Sequence, residues 1–84
     1  MRIRVKLFAS LSDLLPDGVK PHDGFELDIQ GDVTPAQLID QLKIPDGLAH
    51  LVLINGEYVP PSRRNQPLFS EGDVFSVWPP VAGG

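Results

Sequence analysis

The residues of this chain best placed to do chemistry are its last ones. The sequence stops at Gly83-Gly84, directly after Trp78-Pro79-Pro80-Val81-Ala82, and so presents a carboxylate on a strip almost free of side chains. With an ordinary pKa of roughly 3.3–3.7, that group is an anion and a poor electrophile at neutral pH, and it needs activation before it can react. Proline fixes its own φ, and Pro80 biases Pro79 towards extended backbone, so the tail is expected to leave the domain as a stiff stalk. The four residues that follow span at most roughly 14 Å. Such a stalk can thread a narrow channel in which a β-carbon at the tip would clash. Val81, Ala82 and Gly83 are the expected threading residues, and Gly84 carries the reactive group. The competing account is a frayed chain end.

Other constellations carry less. His22 and His50 have no spaced carboxylate or thiolate partners, so both read as solvent-facing residues and no metal site is expected. Asp13, Asp17, Asp23 and Asp28 are scattered over turns and a wet strand face, which does not suit paired-carboxylate catalysis. No glycine-rich phosphate loop occurs, and no cofactor is expected to bind tightly. With no cysteine, disulfides, thiolate metal sites and a cysteine nucleophile are excluded. Arg63 and Arg64 read as a solvated loop pair, with contact to an acidic partner as the alternative. No residue of the chain is expected to be catalytic.

Composition bounds the class. The 84 residues suggest one domain with a modest core, and 42% hydrophobic content argues against disorder, while 9 prolines and 8 glycines imply many loops. A net charge of −4 disfavours nucleic acid, whose phosphates call for clustered cations. Basic protein partners fit better. No apolar run is long enough to span a membrane, and the N-terminus alternates where a signal peptide would be continuously apolar. A cytoplasmic location is expected.

The positioning elements follow from periodicity. Ile3, Val5 and Leu7 alternate with Arg2, Arg4, Lys6 and Phe8, a strand with an aromatic anomaly on its polar face. Ser10 is expected to cap a short helix bearing Leu11, Leu14 and Leu15, with Asp13 reaching back and Pro16-Asp17-Gly18 ending it. Phe25, Leu27 and Ile29 mark a second strand. Thr34-Pro35-Ala36-Gln37 carries an N-cap, a proline at the first helical position and a capping-box partner, opening a helix with an apolar stripe of Leu38, Ile39 and Leu42 that Pro45-Asp46-Gly47 closes. Leu51 to Ile54 is a strand, and Asn55-Gly56 a tight turn returning through Glu57-Tyr58-Val59. An irregular stretch from Pro60 to Gln66 leads to Pro67-Leu68, a turn at Glu71-Gly72-Asp73 and a last strand, Val74 to Trp78. This is an α+β domain with a helix packed across one face of a small mixed sheet.

A strand–strand–helix–strand domain ending in Pro79-Pro80-Val81-Ala82-Gly83-Gly84 resembles the ubiquitin-like sulfur-carrier family, and within it the small subunits of molybdopterin synthases. The likeness also takes in Phe8-Ala9 with the short leucine-bearing helix, Pro67-Leu68, the Gly72-Asp73 turn and the aromatic residue before the prolines. The Pro60–Gln66 segment is longer than in that subunit. The resemblance implies a β-grasp fold over residues 1–80, with first and last strands adjacent in the sheet centre, and an extended tail at 81–84. It also implies partners: an E1-like enzyme that uses ATP with magnesium to adenylate Gly84, a persulfide donor protein that supplies sulfur for a thiocarboxylate, and the large subunit of a synthase that consumes it.

Docking needs more surface than a tail. In the last strand Trp78, Ser76 and Val74 share a face opposite Phe75 and Val77. If first and last strands are neighbours, Phe8 and Trp78 form an exposed aromatic patch at the root of the tail, joined by Tyr58; the alternative is that Trp78 caps the core and Phe8 folds over an edge. The leading reading is a non-enzymatic sulfur carrier for molybdopterin synthesis. Its rivals are a ubiquitin-like modifier conjugated through Gly84, a carrier for thiamine, cysteine or tRNA thiolation, and a plain binding module.

Overall fold

A computed structural model describes residues 1–80 of the chain. Val81, Ala82, Gly83 and Gly84, named above for tail threading and sulfur carriage, lie outside the described residues. The elements run β1 (Arg2–Leu7), a 3₁₀ helix (Ala9–Leu14), β2 (Phe25–Asp28), α1 (Pro35–Gln41), β3 (Leu51–Ile54), β4 (Glu57–Tyr58), a second 3₁₀ helix (Pro61–Arg63) and β5 (Val74–Trp78). The five strands form one sheet in the order β2-β1-β5-β3-β4. β1 pairs antiparallel with β2 and parallel with β5, and β3 is antiparallel to both β5 and β4. This is the β-grasp arrangement, with first and last strands side by side in the centre.

Alternation decides which face is covered. Ile3, Val5, Leu7, Val52, Phe75 and Val77 are buried on one face, together with Leu11 from the first 3₁₀ helix and Val33, Leu38 and Ile44 from in and around α1. Phe69 meets Phe75 edge-on at 5.4 Å between centroids, a favoured aromatic geometry. No helix among the described residues is long and apolar enough to cross a membrane.

Local chemistry explains where the elements begin and end. The capping box forms: the Gln37 N–H donates to Thr34 Oγ1 at 3.1 Å and the Thr34 N–H donates to Gln37 Oε1 at 3.0 Å. The helix stops earlier than Pro45, because Lys43 takes a left-handed φ of 62° just after the C-cap Leu42. Asn55 (φ 53°) and Gly56 (φ 83°) both take positive φ, as a tight turn with right-handed strand twist requires. Asn55 also binds the last strand, its backbone N–H donating to the Val74 carbonyl and its Oδ1 accepting from the Val74 N–H, both at 2.8 Å.

Two expectations need correction. The segment after β1 is a 3₁₀ helix capped by Phe8 with no side-chain cap bond, so neither Ser10 nor Asp13 caps it. Ala9 turns the chain with a φ of 53°, which brings Leu11 and Leu15 under the sheet without a capping hydroxyl. Pro60–Gln66 is not wholly irregular, since a 3₁₀ turn covers Pro61–Arg63.

Gly24 is required by a close approach. It holds a φ of +66°, and a β-carbon there would collide with the Val5 carbonyl oxygen and stand 2.8 Å from Lys6 Cγ, whereas Gly18, at +82°, faces open space. Gly18→Ala should therefore cost only the left-handed backbone term of about 1 kcal/mol. Gly24→Ala should cost at least about 2 kcal/mol, because backbone must also move. Urea unfolding of the two variants checks the ranking.

Candidate functional site

The uncovered face of the sheet carries the candidate site, and strand register assembles it. Across that face Lys6 pairs with Ser76, Ser76 with Leu53 and Leu53 with Tyr58. One step nearer the tail, Trp78 pairs with Leu51. Phe8 sits beside Trp78, where its N–H donates to the Val77 carbonyl at 3.1 Å and prolongs the β1–β5 ladder by one residue. The two rings stack at 4.1 Å between centroids and 4° between planes. Each therefore shields one face of the other, and both are half-buried. Tyr58 is 53% exposed and Leu51 37%. The result is an apolar patch of Phe8, Trp78, Leu51, Leu53 and Tyr58 on the sheet face that, among the described residues, bears no helix.

Phe8, Trp78 and Tyr58 thus share one face, and the core-capping alternative for Trp78 fails. Ser76 departs from a simple wet position, since it is buried although it points to this outer face. Leu51 and Leu53 were not legible as patch residues: in Leu51-Val52-Leu53-Ile54 every position is apolar, so a period of two leaves no trace.

The far end of the same face is ionic. Arg2 Nε and Nη2 donate to the Asp28 carboxylate at 3.0 and 3.5 Å, and Arg2 Nη1 donates to Glu26 at 3.2 Å. Arg4 Nη2 donates to Glu26 at 3.3 Å. The hydrogen bond and charge of Arg2 hold the Asp28 carboxyl below its ordinary value, and Asp28 in turn raises Arg2. The face therefore grades from paired charges to an apolar end where the tail departs.

The root of the tail is held on both sides. Phe8 binds Val77, and the His50 N–H donates to the Trp78 carbonyl at 3.1 Å. Pro79 is half-buried and Pro80 exposed. His22 and His50 are exposed as expected, and among the described residues no cluster of three His, Cys, Asp or Glu could hold a metal ion. Arg64 contradicts the solvated-loop expectation. Its guanidinium is half-buried and donates to three backbone carbonyls, those of Val59 (3.1 Å), Ala49 (2.7 Å) and His50 (3.2 Å), while Arg63 is exposed.

A model of the ThiS family matches residues 5–84. The chain belongs to the ThiS family. Its resemblance to the ubiquitin-like sulfur carriers holds, as does the β-grasp fold implied by that resemblance. Among solved structures, this ThiS-family chain is similar to small archaeal modifier protein 1 of Haloferax volcanii, at 24% identity and a TM-score of 0.66 over 95% of this chain and 98% of that one. It is similar to a chain in the complex of subunits 1 and 2 of the molybdopterin-converting factor from Helicobacter pylori, at 24% identity and a TM-score of 0.60 over 100% of both chains. It is also similar to a candidate molybdopterin converting factor subunit 1 from Pyrococcus furiosus, at 28% identity and a TM-score of 0.62 over 95% of this chain and 98% of that one. No curated protein matches at a significant level.

The ionic end generates a pH prediction. Because the folded pKa of Asp28 lies below its ordinary value of 3.8, the pair's contribution is present above that value and is lost as pH falls through the folded pKa. The difference in melting temperature between the wild type and Asp28→Asn should be constant from pH 8 to about 5 and should vanish in stronger acid. Both partners are exposed, so the difference at neutral pH should be small.

Proposed function

We propose that this protein is a sulfur carrier in molybdopterin synthesis, working through the Gly84 carboxylate. The observation that carries this reading is the placement of the tail root, Trp78-Pro79-Pro80, at the end of a central strand and beside an uncovered apolar face. The family match, which runs through residue 84, supports it. So does the fold shared with the Helicobacter pylori and Pyrococcus furiosus chains.

The chemistry divides between carrier and partners. A carboxylate oxygen of Gly84 attacks the α-phosphorus of ATP on an E1-like enzyme, with magnesium; pyrophosphate leaves and an acyl-adenylate forms. The terminal sulfur of a donor protein's persulfide then attacks the acyl carbon and AMP departs. This leaves an acyl disulfide, which a second thiol reduces to the thiocarboxylate while itself becoming part of a disulfide. The product is a soft nucleophile for the active site of a synthase large subunit. Residues 1–80 act as the docking domain, and 81–84 as the tail, with Val81, Ala82 and Gly83 passing through the partner's channel.

The patch of Phe8, Trp78, Leu51, Leu53 and Tyr58 serves as the docking surface, because large aromatic and aliphatic side chains that lose water on contact dominate interface energies. The stiff prolines limit the tail freedom that would otherwise be lost on entering a channel. The short 3₁₀ helix at Ala9–Leu14 and the proline pair favour molybdopterin over thiamine synthesis.

Incubation with an E1-like activating enzyme, ATP and a sulfur donor should yield the oxygen-to-sulfur mass increase at Gly84, read by intact-mass analysis. No gain with a partner of proven competence would sink the carrier reading, and isopeptide adducts to lysines would redirect it to a protein modifier. Trp78→Lys and Leu51→Asp should stay folded yet weaken binding to the activating enzyme about tenfold or more.

A further inference from the structure

Arg64 makes contacts that reach the tail. The guanidinium fork carries five donors in one rigid plane, and here it gathers carbonyls from the end of β4 (Val59) and from the two residues that lead into β3 (Ala49, His50). The Arg64 carbonyl accepts from the Ala36 N–H at 2.8 Å, one of the first-turn donors that α1 cannot satisfy internally. The residue is therefore fixed to the helix at one end and to the sheet at the other.

The shortest of these bonds, Arg64 Nη1 to the Ala49 oxygen at 2.7 Å, falls on a particular peptide. The Ala49 C=O and the His50 N–H belong to one planar unit, and that N–H donates to the Trp78 carbonyl at 3.1 Å. The Trp78 carbonyl in turn belongs to the peptide bond that joins Trp78 to Pro79, the first bond of the tail. A continuous line runs from the guanidinium through the Ala49–His50 plane to the Trp78–Pro79 plane. The two prolines beyond have no N–H with which to bind the sheet.

We infer that Arg64 is a positioning residue for the tail: it locks the Ala49–His50 peptide and through it sets the direction in which Pro79 leaves the sheet. This rests on the carrier reading above, in which the tail must bring Gly84 to a reacting centre. Pro79 and Pro80 hold their own φ, so a turn at the root is passed on to Pro80, and misplacement of a reacting group by ~1 Å already costs reactivity.

The test compares wild type with Arg64→Lys and Arg64→Met, and with His50→Pro, which deletes the N–H that reaches Trp78 and also fixes φ at that position. In both Arg64 variants, amide exchange at His50 should accelerate at least tenfold while the core amides of Val5 and Phe75 change less than twofold. Affinity for the activating enzyme should stay within threefold, whereas pyrophosphate release at saturating carrier should fall at least tenfold in all three variants. Lysine should fail to rescue, because its donors radiate from one nitrogen and cannot span carbonyls spaced for the planar guanidinium fork. Unchanged His50 exchange, equal acceleration of the core amides, unfolding of both Arg64 variants or full turnover in His50→Pro would overturn the inference. Failure of the carrier reading would show separately, as a wild type that is never activated, and the exchange pattern would still judge Arg64.

Discussion

The parallel pairing of β1 with β5 is the constraint on which the rest of the structure depends. Val5 opposite Phe75 and Leu7 opposite Val77 bring nearly the two ends of the described chain together, and all four side chains are fully buried. Parallel neighbours cannot be joined by a tight turn, so everything between them is an excursion that must return to the same sheet. The β2 excursion covers one side of β1, the α1 crossover covers the core face, and the β3–β4 hairpin flanks β5. One consequence bears directly on function: the last strand is central, so Trp78 is bound by Phe8 and His50 from opposite sides and the tail starts from a fixed place.

The same pairing gives the sheet two unlike faces. The core face receives α1 and the first 3₁₀ helix and is closed to partners. Among the described residues the outer face receives no element, and its register places Trp78 beside Phe8 and Leu51. Apolar side chains there reduce their exposure by stacking on one another, and at one end only, while Arg2 and Arg4 pair with Glu26 and Asp28 at the other. In the proposed carrier role, apolar contact at one end would supply affinity and the charges at the other would supply register and association rate.

Polar side chains join the excursions to the central pair. Asp73, buried at the turn into β5, accepts from Asn55 Nδ2 at 2.8 Å and from the Ser70 N–H at 2.7 Å, which ties the hairpin to the start of the last strand. Arg64 does the corresponding work at the other end of that strand. Among the described residues no buried side-chain nitrogen or oxygen lacks a partner, as expected of a fold whose polar contacts specify one arrangement.

Most elements were legible in the sequence, because their signals are local. Alternation marked β1 and β2, the turn at Glu71-Gly72-Asp73 marked the start of β5, Thr34-Pro35-Ala36-Gln37 marked the start of α1, and Asn55-Gly56 marked the hairpin; each is a matter of period or of local backbone preference. The short helix after β1 was misread because Ser10 offers a capping hydroxyl, whereas the left-handed Ala9 turns the chain before it. Phe8 was visible as an aromatic residue out of phase, but Leu51 and Leu53 were hidden in a uniformly apolar run whose two faces only pairing with β5 separates. Arg64 gave no signal, because its carbonyl partners are backbone groups as many as 15 residues away. The sequence by itself determined the strands, the start of α1 and the Asn55-Gly56 turn, since these follow from local backbone preference and composition. Only the tertiary structure decided which apolar residues stay in contact with water and which peptide aims the tail, because both depend on strand register and on hydrogen bonds between distant segments.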